Sequence, residues 1–450
     1  MQTSTQASAK LFFGTIVQSQ AVVPPTAQST LQLANVCTNP VIIQAVRDQL
    51  KSALSVTIVR GIFGSLPPHL TPSKDVQDFW EAYLDEIQGT NSEGSKMEEE
   101  WGLWELCFRS WKALHSVFQS SEGGRYAVLF SRLTYKLYLS STRLSTPHLI
   151  HLAIQQYFQP IRDALSLSSR DPSPSVPSKK QALFPLAEIL FRVYARLDTH
   201  KLGAQILQVV RPSLGLLEKE GWVERAVKVR FEQAQGTWLL GDRRIPQAHT
   251  SLHRAFLSCP SNTLAMFHNR RLILVSLLTT SILLGTLPTG KLLDHFQLTD
   301  QFGPLVCGIR YGDLRSWRRG LGETGGNERV DRMEWFRRKK VLGVLREKGV
   351  ILVWRSLLRR TLLIYRSCLQ QPSSGQSDRV ALPLSFFLTA LRFGTEDDSL
   401  DIDDAECIVC NLISLGYVKA VILRGTQMVV FSKETGMGFP PISRVPLRTV

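Results

Sequence analysis

Four cations stand in a row at Arg337-Arg338-Lys339-Lys340. They lie within residues 310–360, which hold fifteen Lys/Arg and six Asp/Glu. Arg355 and Arg359 follow one helical turn apart, so a helix there presents them on one face. Such cations neutralise phosphates, and the release of counterions then drives affinity. Lys419, Arg424 and Lys433 flank or lie within a hairpin signal, where a basic wing would track a phosphate backbone. These nine residues are the expected nucleic-acid surface. Competing uses are a solvated helix face, a nuclear import signal in the tetrabasic run, and a dock for an acidic protein.

Other spacings point to chemistry and then fail it. Gly285 to Lys291 matches most of a phosphate-binding loop, but Leu292 stands where a hydroxyl should hold Mg²⁺, Pro288 removes an N–H, and a helix rather than a strand precedes it. Cys407 and Cys410 have redox or half-zinc spacing, yet no second Cys pair exists, and burial is expected for Cys410 beside an apolar stripe. His249 and His253 would sit one helical turn apart without the glutamate of a zinc peptidase. Glu396 to Glu406 holds seven carboxylates and no base. It lacks calcium-loop spacing, and a helix start explains the negative charge better. With no nucleophile elbow or dinucleotide fingerprint either, no enzyme, cofactor or metal is expected. A dispersed triad in a chain of this length is the alternative.

The chain has 450 residues, 44% of them apolar, and a formal charge of +15. That much apolar and aromatic content excludes wholesale disorder. The charge favours anionic partners. Seven sparse Cys, an odd number, fit a reducing compartment and thiols used as small apolar residues. Residues 1–31 carry one charge, Lys10, and no secretory or transit pattern; they are expected to be a loose tail. Leu272 to Leu287 is shorter than a membrane span needs, so it reads as a buried core helix and no span is expected.

The elements follow from periodicity. Residues 1–95 read as a variable, partly disordered region. Residues 96–300 read as helices in stacked pairs, opening with Trp101, Trp104, Phe108 and Trp111, and interrupted by a breaker-rich insertion at 166–179. Residues 301–380 add basic helices at about 330–347 and 350–368, then a Pro/Ser/Gly linker at 371–378. Residues 381–433 change character. A short helix, Leu384 to Phe393, precedes a second helix with Asp403 and Glu406 at capping spacing and an apolar stripe of Ala405, Ile408, Val409, Leu412 and Ile413. Gly416 is placed to end it. Two β-like runs then flank Arg424-Gly425. Helix, helix, hairpin is the outline of a winged helix, with a tail at 434–450. The expected fold is mostly α: an irregular, TPR-like helical-repeat array leading into a C-terminal winged helix.

Several blocks of this last third resemble a known family. Leu382-Pro383-Leu384-Ser385-Phe386-Phe387, Asp401-Ile402-Asp403-Asp404-Ala405, Gly416-Tyr417-Val418-Lys419, Met428-Val429-Val430-Phe431-Ser432-Lys433 and Phe439-Pro440-Pro441-Ile442 are similar to the winged helix of PCI domains. Leu283 to Thr289 resembles a helix–helix turn of the same branch. That branch is the mRNA-export one, with its signalosome-like relatives. The resemblance covers about 181–450. It implies a non-enzymatic scaffold subunit of a transcription-coupled export complex in the nucleus, associated with the pore, with the cytoplasm as a further location. Its implied partners are a larger PCI-type subunit docked at the winged helix, a small disordered acidic protein on the helical layer, and RNA or DNA on the basic surface. The alternative is a signalosome-associated subunit with no nucleic-acid role.

Overall fold

Apolar side chains recur at three- and four-residue steps along most of the chain, and those stretches are helices. The computed structural model describes residues 2–21, 26–50, 55–64, 72–89, 96–197, 199–219, 222–323, 328–369, 380–432 and 438–445. They fall into two compact units, Met1–Gln235 and Gly236–Val450. The break lies inside the stretch expected as one array.

The first unit is helical: α1 Gln2–Ala21, α2 Ala27–Thr38, α3 Pro40–Gln49, α4 Ser55–Gly64, α5 Lys74–Gln88, α6 Lys96–Gln119, α7 Gly123–Thr142, α8 Pro147–Arg170, α9 Leu183–Arg196 and α10 Gly203–Val210. α11, Arg225–Gly241, spans the boundary. The described part of residues 1–31, which is 2–21 and 26–31, is not the loose tail expected there. Ala9, Phe12 and Ile16 form a buried stripe on α1, and Phe12 meets Trp80 edge to face at 6.3 Å. Burying an aromatic ring contributes about 2–3 kcal/mol, enough to hold a polar-looking helix in place. The Trp ladder of α6 is helical as expected: Trp104 and Trp111 are buried, Trp101 and Phe108 half-buried, and the Trp111 indole N–H donates to the Thr134 hydroxyl at 2.8 Å. The insertion at 166–179 is shorter than expected, because α8 runs on to Arg170. Asp171 then gathers the loop, accepting from the Ser178 hydroxyl and the Lys179 amide at 2.7 Å each.

The second unit holds α12 Ile245–Ser258, α13 Leu264–Leu283, α14 Gly290–His295, α15 Thr299–Tyr311, α16 Leu314–Leu321 and α17 Glu328–Arg338, then α18 Leu342–Val344, a π turn at Leu345–Gly349, and α19 Val350–Leu369. β1 Val380–Pro383, α20 Leu384–Thr395, α21 Ile402–Ser414, β2 Ala420–Leu423 and β3 Met428–Phe431 complete it. α13 is the expected core helix. Its buried Thr279 and Thr280 return their hydroxyls to the carbonyls of Val275 and Leu277, so neither hydroxyl is orphaned. No described helix is long and apolar enough to cross a membrane. The first basic helix, expected to reach 347, stops at Arg338. The amide of Val341 donates to the carbonyl of Phe336 at 3.2 Å, and buried Phe336 and Val341 pin the turn from both sides.

Candidate docking and nucleic-acid interface

A three-stranded antiparallel sheet in the order β1-β3-β2 closes the second unit. The sequence announces β2 and β3; β1 pairs Val380 with Phe431 and Leu382 with Val429, on the far side of β3. α20 and α21 pack beneath it, the former through Leu384, Phe387 and Leu391. α21 is capped one residue outside its first turn. Asp401 accepts from the Asp404 amide at 2.9 Å, and Asp404 accepts from the Asp401 amide at 3.0 Å. The expected Asp403–Glu406 pair is therefore corrected: the helix begins at Ile402, and Glu406 lies a turn further in. Ala405, Val409 and Leu412 are buried, whereas Ile408 and Ile413 are half-buried. Gly416 leaves the helix at φ +78°, as expected. Gln427, at φ +52°, completes the turn between β2 and β3.

The sheet is apolar on both faces. Phe431 and Val429 are buried inward. On the opposite face of β2, Val421 is 64% and Leu423 48% exposed, and their partners across the ladder are Val430 and Met428. An antiparallel sheet with one wet face alternates apolar and polar residues; β2 does not. Among the described strands β2 is also an edge, bonded to β3 alone. Beside it an open groove of about 750 Å³ is lined by Val418, Val421, Val430, Pro440 and Arg444. Sequence reading placed subunit docking on the winged helix but named residues only for the basic surface, passing over Val421 and Leu423; an uninterrupted apolar run in a terminal hairpin was the signal.

The segment 438–445 returns across this module. The Lys419 amide donates to the Gly438 carbonyl at 2.7 Å, and Phe439 stacks on Phe431 at 5.5 Å. Ile442 meets Gly285, where an added Cβ would stand 2.7 Å from that of Ile442 and the backbone is at φ +86°. Only glycine fits such a contact.

The nine expected nucleic-acid residues separate. Arg337 and Arg338 end α17, both exposed, each pairing with Glu334 at 3.2 and 3.3 Å. Exposed pairs of this kind contribute about 0–1 kcal/mol and yield readily to a competing phosphate. Lys339 and Lys340 lie in the turn that follows. Partial burial, with Arg271 nearby, holds the Lys339 ammonium below its usual range. Arg359 is exposed on α19. Arg355 is not: it is 7% exposed, donates to the Pro440 carbonyl at 2.7 Å, and lies over the Phe439 ring. Burial, with Arg359 adding to it, pulls Arg355 down to about 10, so it stays charged at neutral pH. Sharing a helix face with Arg359 did not put it on the surface, because the returning segment covers that turn. Lys419 is exposed immediately before β2. Arg424 reaches back to Glu406, Nε to Oε1 2.7 Å, which raises its pKa. Lys433 lies outside the described residues. In the second unit 29 Lys/Arg face 18 Asp/Glu, so most of the chain's excess charge sits with these residues.

The remaining motifs resolve simply. Cys407 and Cys410 are both exposed, which corrects the burial expected for Cys410: α21 turns it away from Val409. Cys307 and Cys368 are exposed as well, while Cys37, Cys107 and Cys259 are buried as small apolar groups. His249 and His253 stack ring on ring at 5.9 Å. No group of three or more His, Cys, Asp or Glu that could hold a metal is found among the described residues.

Comparison with known proteins agrees with this architecture. The PCI domain family matches residues 339–433, from the turn after α17 to the end of the hairpin. A PCI domain-containing protein of Schizosaccharomyces pombe is 33% identical over 267 residues, which is 59% of this chain and 56% of that protein. PCI domain-containing protein 2 of Xenopus laevis is 28% identical over 271 residues, 60% of this chain and 59% of that one. A CSN12 homolog of Neurospora crassa is 26% identical over 272 residues, 60% of this chain and 57% of that one. The matches span a little over half the length of these relatives. The chain carries a PCI domain, formed by α18, α19 and the winged helix.

Proposed function

We propose that this chain is a non-enzymatic scaffold subunit of a transcription-coupled mRNA-export complex in the nucleus, associated with the pore. Its winged helix docks on a larger PCI-type subunit, its helical layer receives a small disordered acidic protein, and its basic helices hold RNA or DNA through phosphates. The observation that carries the docking step is the apolar outer face of the hairpin, where Val421 and Leu423 are open to solvent on an edge strand. Such an edge invites another strand or an apolar wing, and soluble proteins otherwise guard it with charge. The relatives named PCI domain-containing protein 2 favour the export reading. The CSN12 homologs favour the second one, a signalosome-associated subunit without a nucleic-acid role.

The test is co-purification of the full chain from nuclei, beside a Val421→Glu/Leu423→Glu variant. Export factors with the parent chain, lost with the variant, are expected. Both substitutions lie on the open face, so the melting curve should not move. Recovery of signalosome subunits without export factors would replace the first reading with the second.

A further inference from the structure

A second feature of the PCI half stands apart from both the hairpin and the tetrabasic turn. α15, α16, α19 and α20 leave an open groove of about 820 Å³ between them. Its floor includes Leu357, Thr361 and Ala390. Its rims are aromatic rings under guanidinium groups: Arg360 lies 5.0 Å over Tyr311, and Arg315 lies 5.0 Å over Phe393. Phe393 is 77% exposed, the most open aromatic ring among the described large apolar side chains. On α20, Phe386, Ala390 and Phe393 follow at four- and three-residue steps and share a face. Phe386 in turn meets Tyr365 of α19 at 4.9 Å.

The charges at the groove are unevenly committed. Asp313 caps α16, accepting from the Arg315 and Ser316 amides and the Ser316 hydroxyl. Glu396 pairs with Arg315 at 2.9 Å. Arg360 makes no ion pair with a carboxylate among the described residues; it donates to the Tyr311 carbonyl at 3.1 Å, and exposed Arg359 precedes it on the next face of the helix. Asp397 and Asp398 follow the end of α20, so a polyanion would leave that end and run along α19. Exposed rings beside a basic ridge hold unpaired bases by stacking while the cations take the backbone. A duplex keeps its base faces hidden and gains only the phosphate contacts.

We propose that this groove is a stacking site for single-stranded nucleic acid, with bases on Phe393 and Tyr311 and phosphates on Arg360. The proposal rests on the reading that the chain contacts nucleic acid, and adds the strand state and the place.

The test is fluorescence anisotropy of the full chain with a twelve-nucleotide adenine RNA, and with a duplex of equal length, across a salt series. Phe393→Ala and Tyr311→Ala should each weaken single-strand binding about five-fold or more, given the strength of base–aromatic stacking. They should leave duplex affinity and the salt slope unchanged. Arg360→Ala should instead lower the single-strand slope by about 0.7 for the phosphate lost. Phe393 is too exposed for its loss to unfold the chain. If both aromatic variants bind the single strand like the parent while reversal of Arg337–Lys340 still weakens binding, the groove is wrong and nucleic-acid contact stands. If the parent binds neither RNA at low salt, both fail. Unchanged RNA binding with loss of a co-purifying protein would reassign the groove to a protein partner and overturn the proposal.

Discussion

Arg355 shows how far a single side chain departs from its local pattern. Helical spacing tied it correctly to Arg359 on one face of α19, but spacing says nothing about what arrives 85 residues later to cover that face. Its guanidinium satisfies the Pro440 carbonyl, while Nε has no hydrogen-bond partner among the described residues. Removing a buried charge that holds a backbone carbonyl costs about 2–4 kcal/mol. Arg355→Ala should therefore lower the denaturant midpoint of the full chain clearly and leave nucleic-acid affinity unchanged; the reverse result would return Arg355 to the binding surface. Asp313 and Asp171 make a pH prediction. Burial alone would push both carboxyls up, but hydrogen bonds outweigh it: from the Ser316 hydroxyl and amide, with the Arg315 amide and charge, at Asp313, and from Ser178, Ser173 and the Lys179 amide at Asp171. Both sit below the usual carboxylate range. Their contribution is complete above the unfolded-state pKa of about 4 and is lost as pH falls through the depressed folded values. Thermal melts from pH 6 downward should show the parent losing stability more steeply than Asp313→Asn.

Elements with a strong internal period were readable, and those fixed by distant partners were not. The α6 ladder, the α13 core helix and α21 declare themselves through spacing. β1 is four residues whose strand character exists only because β3 lies beside them. α1 carries its stripe of Ala9, Phe12 and Ile16 in full view, but a Gln- and Ser-rich background masks it until Trp80 supplies a surface to pack on. In α21, Val409 and Leu412 hold the module and Ile408 lies at its margin. Leu412→Asp should cost more than about 3 kcal/mol, from a buried charge and a lost apolar side chain, and should unfold the winged helix. Ile408→Asp, whose carboxylate reaches water, should cost about 1 kcal/mol. Equal effects in a urea titration would contradict the observed register of α21.

At the scale of the whole chain, most of the excess positive charge sits in the second unit, where Arg337, Arg338 and Lys340 are exposed at and just after the end of α17 and Lys339 is half-buried. What charge counting missed is the apolar edge of β2, since an exposed Val or Leu alters no tally. Reversal of Arg337, Arg338, Lys339 and Lys340 to Glu should weaken RNA binding at low salt and flatten its salt dependence without changing the melt; unaltered affinity would remove that cluster from the binding surface. The segment 438–445 bears on how the second unit behaves mechanically. It is bonded to the chain just ahead of β2 at Lys419, to α19 at Arg355, and wedged at Ile442 into the glycine turn after α13. The hairpin is thus bracketed at two separate points instead of hanging from the end of α21 like a flag on a hinge. Torque applied to the wing by an incoming subunit would pass straight into the long helices beneath it, so a chain cut short after β3 should retain the wing but lose its aim.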